Sequence, residues 1–91
     1  MENINSIFTV VKADYLKKAF IQSRKDLGIK SNKYSVSIKK DKEKLTFYLL
    51  IKLKQENIIF DFSDFSLFTD FVNVHDLNIE MNFNEKVVKI F

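Results

Sequence analysis

The chain contains no cysteine, no proline and no tryptophan, and only one glycine and one arginine. Without cysteine there is no disulfide, no thiolate nucleophile and no sulfur-ligated zinc. A lone Gly28 excludes the glycine-rich loops in which backbone closes on phosphate, so neither a dinucleotide fingerprint nor a phosphate-binding loop is present and no cofactor is expected. Chain reversals fall to Asn, Asp, Ser and Lys instead of Gly and Pro. Long apolar runs are missing too: the longest aliphatic or aromatic stretch is Phe47 to Ile51. With no basic region leading into an apolar segment at Met1 to Ser6, neither a membrane span nor a secretory signal is expected. A core that needs no disulfides fits a cytoplasmic protein.

What is present is enough for one ordered core. The chain has 91 residues, 46% of them hydrophobic, with ten Phe. That is the size of a single domain and well above the apolar content of a disordered chain. Charge is sorted along the length. Residues 1–54 hold 13 of the 15 Lys and Arg against five acids, a net +8, and residues 55–91 hold two bases against seven acids, a net −5. The net charge of +3 hides a polarity suited to docking on an oppositely charged macromolecule.

Hydrophobic period defines the elements. Ile4 to Val11 is rich in β-branched residues and reads as a first strand. From Lys12 the period changes: Ala13, Leu16, Phe20, Ser23 and Leu27 share one stripe of a helix over 13–27, and Gly28 stands where a left-handed cap belongs. Tyr34, Val36 and Ile38, then Leu45, Phe47, Leu49, Ile51 and Leu53, alternate on either side of a charged turn and predict a hairpin. A second reversal at Glu56-Asn57 predicts a third strand through Ile58, Phe60 and Phe62. Ser63 or Asp64 then caps a short helix over about 64–73, for which a strand is the other option. Leu77 to Phe83 and Val87 to Phe91 predict a closing hairpin. The expected order is β-α-β-β-β-α-β-β: a single α+β domain, an antiparallel sheet of five to six strands with one long helix across it. Its opening β-α-β-β-β is similar to the start of a repeat in sliding-clamp subunits, a likeness of element order with no shared sequence motif.

Three constellations bear on function. Lys17, Lys18, Arg24, Lys25, Lys40, Lys42 and Lys44 form a basic set able to attract a polyanion, although one Arg is few for base-edge recognition. Tyr48 and Leu50 fall on the strand face opposite the core positions, with Ile59 a candidate neighbour, and suggest a partner or self-association surface. Asp61, Asp64, Asp70, His75, Asp76 and Glu80 supply oxygen and nitrogen donors, but with no ligand spacing of a recognised metal geometry.

The composition and these constellations favour a small non-enzymatic binding protein: an accessory, regulator or inhibitor docking on a larger macromolecule, with protein preferred over nucleic acid as partner, homo-oligomerisation the other form of association, and no membrane role. A Lys-based nucleic-acid binder is the alternative, and a metal-dependent hydrolase built on 61–80 stands third. Size and an AT-rich type of residue bias suit a phage or mobile-element source.

Overall fold

A computed structural model describes residues 7–91. The order is α1 (Val10–Asp26), β1 (Tyr34–Asp41), β2 (Thr46–Leu53), α2 (Phe62–His75), β3 (Ile79–Asn82) and β4 (Val87–Ile90). The four strands form one antiparallel sheet in the order β1-β2-β4-β3. An α-β-β unit therefore occurs twice, with the second strand of each unit at the centre of the sheet. No helix of the described residues is long and apolar enough to cross a membrane.

The fold class and the central hairpin agree with expectation, but the sheet has four strands instead of five to six. The first expected strand gives way to helix at its end: Thr9 is the N-cap, its hydroxyl accepting from the Lys12 N–H at 3.1 Å, and Val10 and Val11 form the first turn of α1. Ile7 contributes one bridge, opposite Phe47, while Ile4 to Ser6 lie outside the described residues. The third expected strand does not form either. Ile58 to Phe60 is irregular, and Phe62 already belongs to α2. The place beside β2 goes to β4, so among the described residues no strand of the sheet precedes α1 and no three consecutive strands follow it, and the likeness to a sliding-clamp repeat lapses.

The cause of that replacement is local. Asp61, not Ser63 or Asp64, caps α2: its Oδ1 accepts from the Asp64 N–H at 3.1 Å and Asp64 Oδ2 accepts from the Asp61 N–H at 2.8 Å. This reciprocal box satisfies two amides that a nascent helix leaves open, and it starts the helix two residues before the expected bound. α1 ends as expected. Leu27 is the C-cap, Gly28 has φ +74, and the Gly28 and Ile29 N–H groups donate to Lys25 and Arg24 carbonyls at 3.0 and 3.2 Å, closing a Schellman motif.

Strand phase places the core on one side of the sheet. Leu49, Ile51, Val88 and Ile90 are buried with Phe20 of α1 and Leu67, Phe68 and Phe71 of α2. Phe20 joins the two helices to the sheet: its ring lies 5.9 Å from Phe68, 5.2 Å from Phe71 and 6.4 Å from Tyr34. Phe47 and Phe60 pack at the margin of this core, only half-buried. Both helices thus cover the same face.

The two hairpins are built alike. Asp41 Oδ1 accepts from the Glu43 and Lys44 amides, and Asn82 Oδ1 accepts from the Glu85 amide. Each turn then ends on a left-handed residue, Leu45 at φ 56 and Lys86 at φ 57. A β-carbon there costs on the order of 1 kcal/mol. Leu45 is exposed, so Leu45→Gly should raise stability by about 1 kcal/mol in urea unfolding, whereas Gly28→Ala, at a left-handed position with open space around the added carbon, should lower it by a similar amount. A stabilised Gly28→Ala would contradict the cap geometry.

Candidate functional site

The sheet has a second face, and the described residues place no layer on it. Ser35, Ser37 and Lys39 of β1, Tyr48, Leu50 and Lys52 of β2, Val87 and Lys89 of β4, and Glu80 and Asn82 of β3 alternate with the core positions and are half-buried or exposed. Leu50 sits at the centre, opposite Ser37 on one side and Lys89 on the other. Tyr48 faces Lys39 across the strands, and Lys89 reaches over it with Nζ 5.1 Å from the ring centroid. Lys44, from the hairpin turn, holds its Nζ 5.9 Å from the Phe91 ring. A shallow depression runs between these groups, lined by Asp41, Lys44, Tyr48, Glu80, Lys89 and Phe91. An aromatic and an aliphatic group ringed by cations form an amphipathic contact surface.

The basic set does not converge. Arg24 is only 8% exposed: its Nη1 donates to the Tyr34 carbonyl at 2.9 Å and its guanidinium lies 5.2 Å from the Tyr34 ring. It is a packing residue. Lys17, Lys18 and Lys25 belong to α1 on the helix layer, with Lys18 paired to Asp14 at 3.0 Å. Lys42 and Lys44 are exposed in the hairpin turn, and Lys40 stands on the edge strand with Nζ 6.0 Å from the Phe47 ring. The turn and Arg24 mark opposite ends of β1, about 23 Å apart at the rise of a strand.

The acidic set also disperses. Asp61 and Asp64 meet at the start of α2, Asp76 is the left-handed cap at its end, and Glu80 faces the open side opposite Lys89. Asp70 is exposed beside Asp26 in a groove between the helices. His75 packs against Phe71 at 4.5 Å and Tyr15 at 6.4 Å. Among the described residues no group of three or more His, Asp or Glu is placed to hold a metal ion. Ile59 is exposed in the loop before α2, outside the strands that carry Tyr48 and Leu50.

One polar cluster was missed by sequence reasoning. Lys33 Nζ lies 2.9 Å from Asp61 Oδ2 and 2.5 Å from Asp64 Oδ2, and Asp64 is fully buried. Burial works against the Lys33 ammonium, but hydrogen bonds and attraction from Asp64 and Asp61 outweigh it and hold its pKa above the ordinary 10.5. The hydrogen bond from Lys33, aided by the Asp64 amide, holds the Asp61 carboxyl below its ordinary 3.8. Beside them, burial pushes the Tyr34 phenol up, the Asp64 charge adds to the rise, and Arg24 opposes it. Tyr34 Oη and Asp64 Oδ1 are buried with no hydrogen-bond partner among the described residues. The cluster caps a helix and ties it to the strand entry. Only the Asp-x-x-Asp spacing of 61 and 64 signals it, because Lys33 lies 28 residues away from Asp61.

Neither family models, curated protein sequences nor solved structures show a match to this chain.

Lys33→Met leaves the Asp64 carboxylate buried without its cation and should cost about 3 kcal/mol, part of it recovered in Lys33→Met/Asp64→Asn, where a neutral amide oxygen still accepts from the Asp61 N–H. The Lys33 contribution is full below pH 10.5 and falls as pH rises through the folded value; the Asp61 contribution is full above 3.8 and falls as pH drops through its folded value. The stability difference between wild type and Lys33→Met should therefore be flat at neutral pH and shrink at both extremes. A loss below about 1 kcal/mol at pH 7 would mean that Asp64 reaches water without Lys33.

Proposed function

We propose that this is a binding protein without catalytic machinery of its own, an accessory, regulator or inhibitor that docks on a larger macromolecule through the open face of its sheet. The observation that carries this reading is the one-sided sheet: both helices pack on one face, and the other presents Tyr48 and Leu50 among Lys39, Lys52 and Lys89. A Tyr anchor inside a polar rim is one way compact interfaces concentrate their energy, and Leu50 adds apolar area beside it. Protein is the favoured partner. Asp41 and Glu80 lie among the lysines, which suits the mixed charge of a protein surface better than a uniformly anionic backbone. The domain is read as cytoplasmic, and a phage or mobile-element source remains part of the proposal.

A single-stranded nucleic acid is the second reading. Lysines poised over the Tyr48 and Phe91 rings resemble the pairing of stacking platform and backbone cation that such strands require. Binding of an oligonucleotide that weakens steeply between low and physiological salt would favour it.

The test is site-specific capture. A photo-crosslinking residue in place of Leu50 should trap one dominant macromolecule from native extract, and the same residue in place of Ser66, exposed on the helix layer, should not. Sensitivity of the adduct to protease or to nuclease decides between the readings. Tyr48→Ser/Leu50→Ser should compete for that partner at least about tenfold less well than wild type while remaining folded. Equal capture from both positions would contradict docking through this face.

A further inference from the structure

The outer edge of β1 offers unpaired backbone, and its phase can be read from hydrogen bonds elsewhere. In an antiparallel sheet, the amides and carbonyls of successive residues point alternately to the two sides of a strand. The Phe47 N–H donates to Ile7 and the Leu53 N–H to Lys86, both on the side of β2 away from β1, whereas the Lys54 N–H donates to the Lys33 carbonyl. Residues 48, 50 and 52 therefore turn their backbone toward β1, where they meet Lys39, Ser37 and Ser35. The remaining β1 residues, Tyr34, Val36, Ile38 and Lys40, turn theirs outward. Arg24 confirms the phase by donating to the Tyr34 carbonyl from outside.

That contact also closes one end of the edge. Beyond it, among the described residues, Val36, Ile38 and Lys40 carry outward N–H and C=O groups with no strand beside them. β1 has eight residues, whereas the opposite edge, β3, has four. Free edges of this length are usually blunted, and here Lys39 and Lys40 do it by charge. The same two ammonium groups repel a basic strand, resist desolvation by a wholly apolar one and attract an acidic one.

We propose that β1 accepts an extended acidic segment of a protein partner as a fifth strand, a proposal that rests on the protein-partner reading above and assigns it a binding mode. In antiparallel register the added strand meets Lys40 first, then Lys39, Ile38, Ser37 and Val36. Carboxylates face Lys40 and Lys39, apolar residues face the half-buried Ile38 and Val36 on the helix side, and a small polar residue faces Ser37 on the open side. The pattern is two acidic residues followed by apolar, polar, apolar. Strand addition supplies affinity through the backbone, and the alternate side chains supply selectivity.

The probe is the labelled peptide Thr-Glu-Glu-Val-Thr-Val-Thr, titrated by fluorescence anisotropy at low salt. The residues that would face Lys40, Ile38 and Val36, namely the first Glu and both Val, direct their N–H groups to β1. N-methylation of those three should weaken binding at least about tenfold, whereas N-methylation of the second Glu and central Thr should change it less than about twofold. Bound peptide should slow amide exchange at Val36, Ile38 and Lys40. Lys40→Pro removes an outward N–H without touching the bonds to β2 and should weaken binding as in-phase methylation does; Lys40→Glu, which keeps the backbone intact, should weaken it through charge. Equal affinity of the two methylated peptides, or no binding by wild type, would overturn the proposal. Protection of these amides that rises with protein concentration in the absence of peptide would overturn it in favour of a second copy of the chain. Peptide binding lost in Tyr48→Ser/Leu50→Ser but kept in Lys40→Pro would overturn the edge site while leaving docking through the open face standing.

Discussion

Phe20 is the residue through which the two helices and the sheet are held together. Its ring contacts Phe68 and Phe71 of α2 and Tyr34 of β1, and Tyr34 in turn meets Phe60 at 5.9 Å and Phe68 at 6.0 Å. Edge-on and offset ring pairs of this kind add roughly 0.5–1.5 kcal/mol each beyond the area they bury. Because both helices spend their apolar stripes on this cluster, they lie on the same side of the sheet. The opposite face and the outer edge of β1 are then left to alternate polar and half-buried residues. Among the described residues, the uncovered face and edge follow from where the aromatic residues meet.

How far this was legible in the sequence follows from what each element depends on. Tyr34 to Leu53 was readable because a period of two flanks an Asx-initiated turn, and that hairpin forms in the expected phase. Gly28 was readable because no other residue type occupies its conformation so cheaply. The start of α1 was not, since Val10 and Val11 favour strands and only the Thr9 cap argues otherwise. Ile58 to Phe60 alternates like a strand, but the Asp61 and Asp64 box competes for the same stretch and wins. The neighbour of β2 was beyond local reading: consecutive strands usually pair, and here the chain passes through a whole helix and strand before β4 returns to that place.

For the candidate residues, the phase of the hairpin carried the useful information. It placed Tyr48 and Leu50 on the face away from the core, and the fold brings Lys89 of β4 and Phe91 just beyond it to join them. The lysine set lacked any such constraint, because charge content says nothing about which elements meet. Arg24 shows the limit most clearly: counted with the basic surface, it instead satisfies the Tyr34 carbonyl and stacks on the ring. Two lysines of the edge strand, Lys39 and Lys40, acquire meaning only from the direction of the backbone between them. Strand geometry and side-chain chemistry coincide at the sheet, a convergence that the charge polarity of the chain does not mark.

The most direct test of the account is the solvent exposure of the two sheet faces in the free protein. A soluble gadolinium chelate broadens methyl and aromatic resonances according to their approach to solvent, and Leu49 and Leu50 are adjacent on β2 with opposite directions. The Leu50 methyls and the Tyr48 ring should broaden strongly, with the Leu49 and Ile90 methyls unaffected. Protection of Leu50 equal to that of Leu49 would show that the second face is covered, and the binding reading built on it would fall.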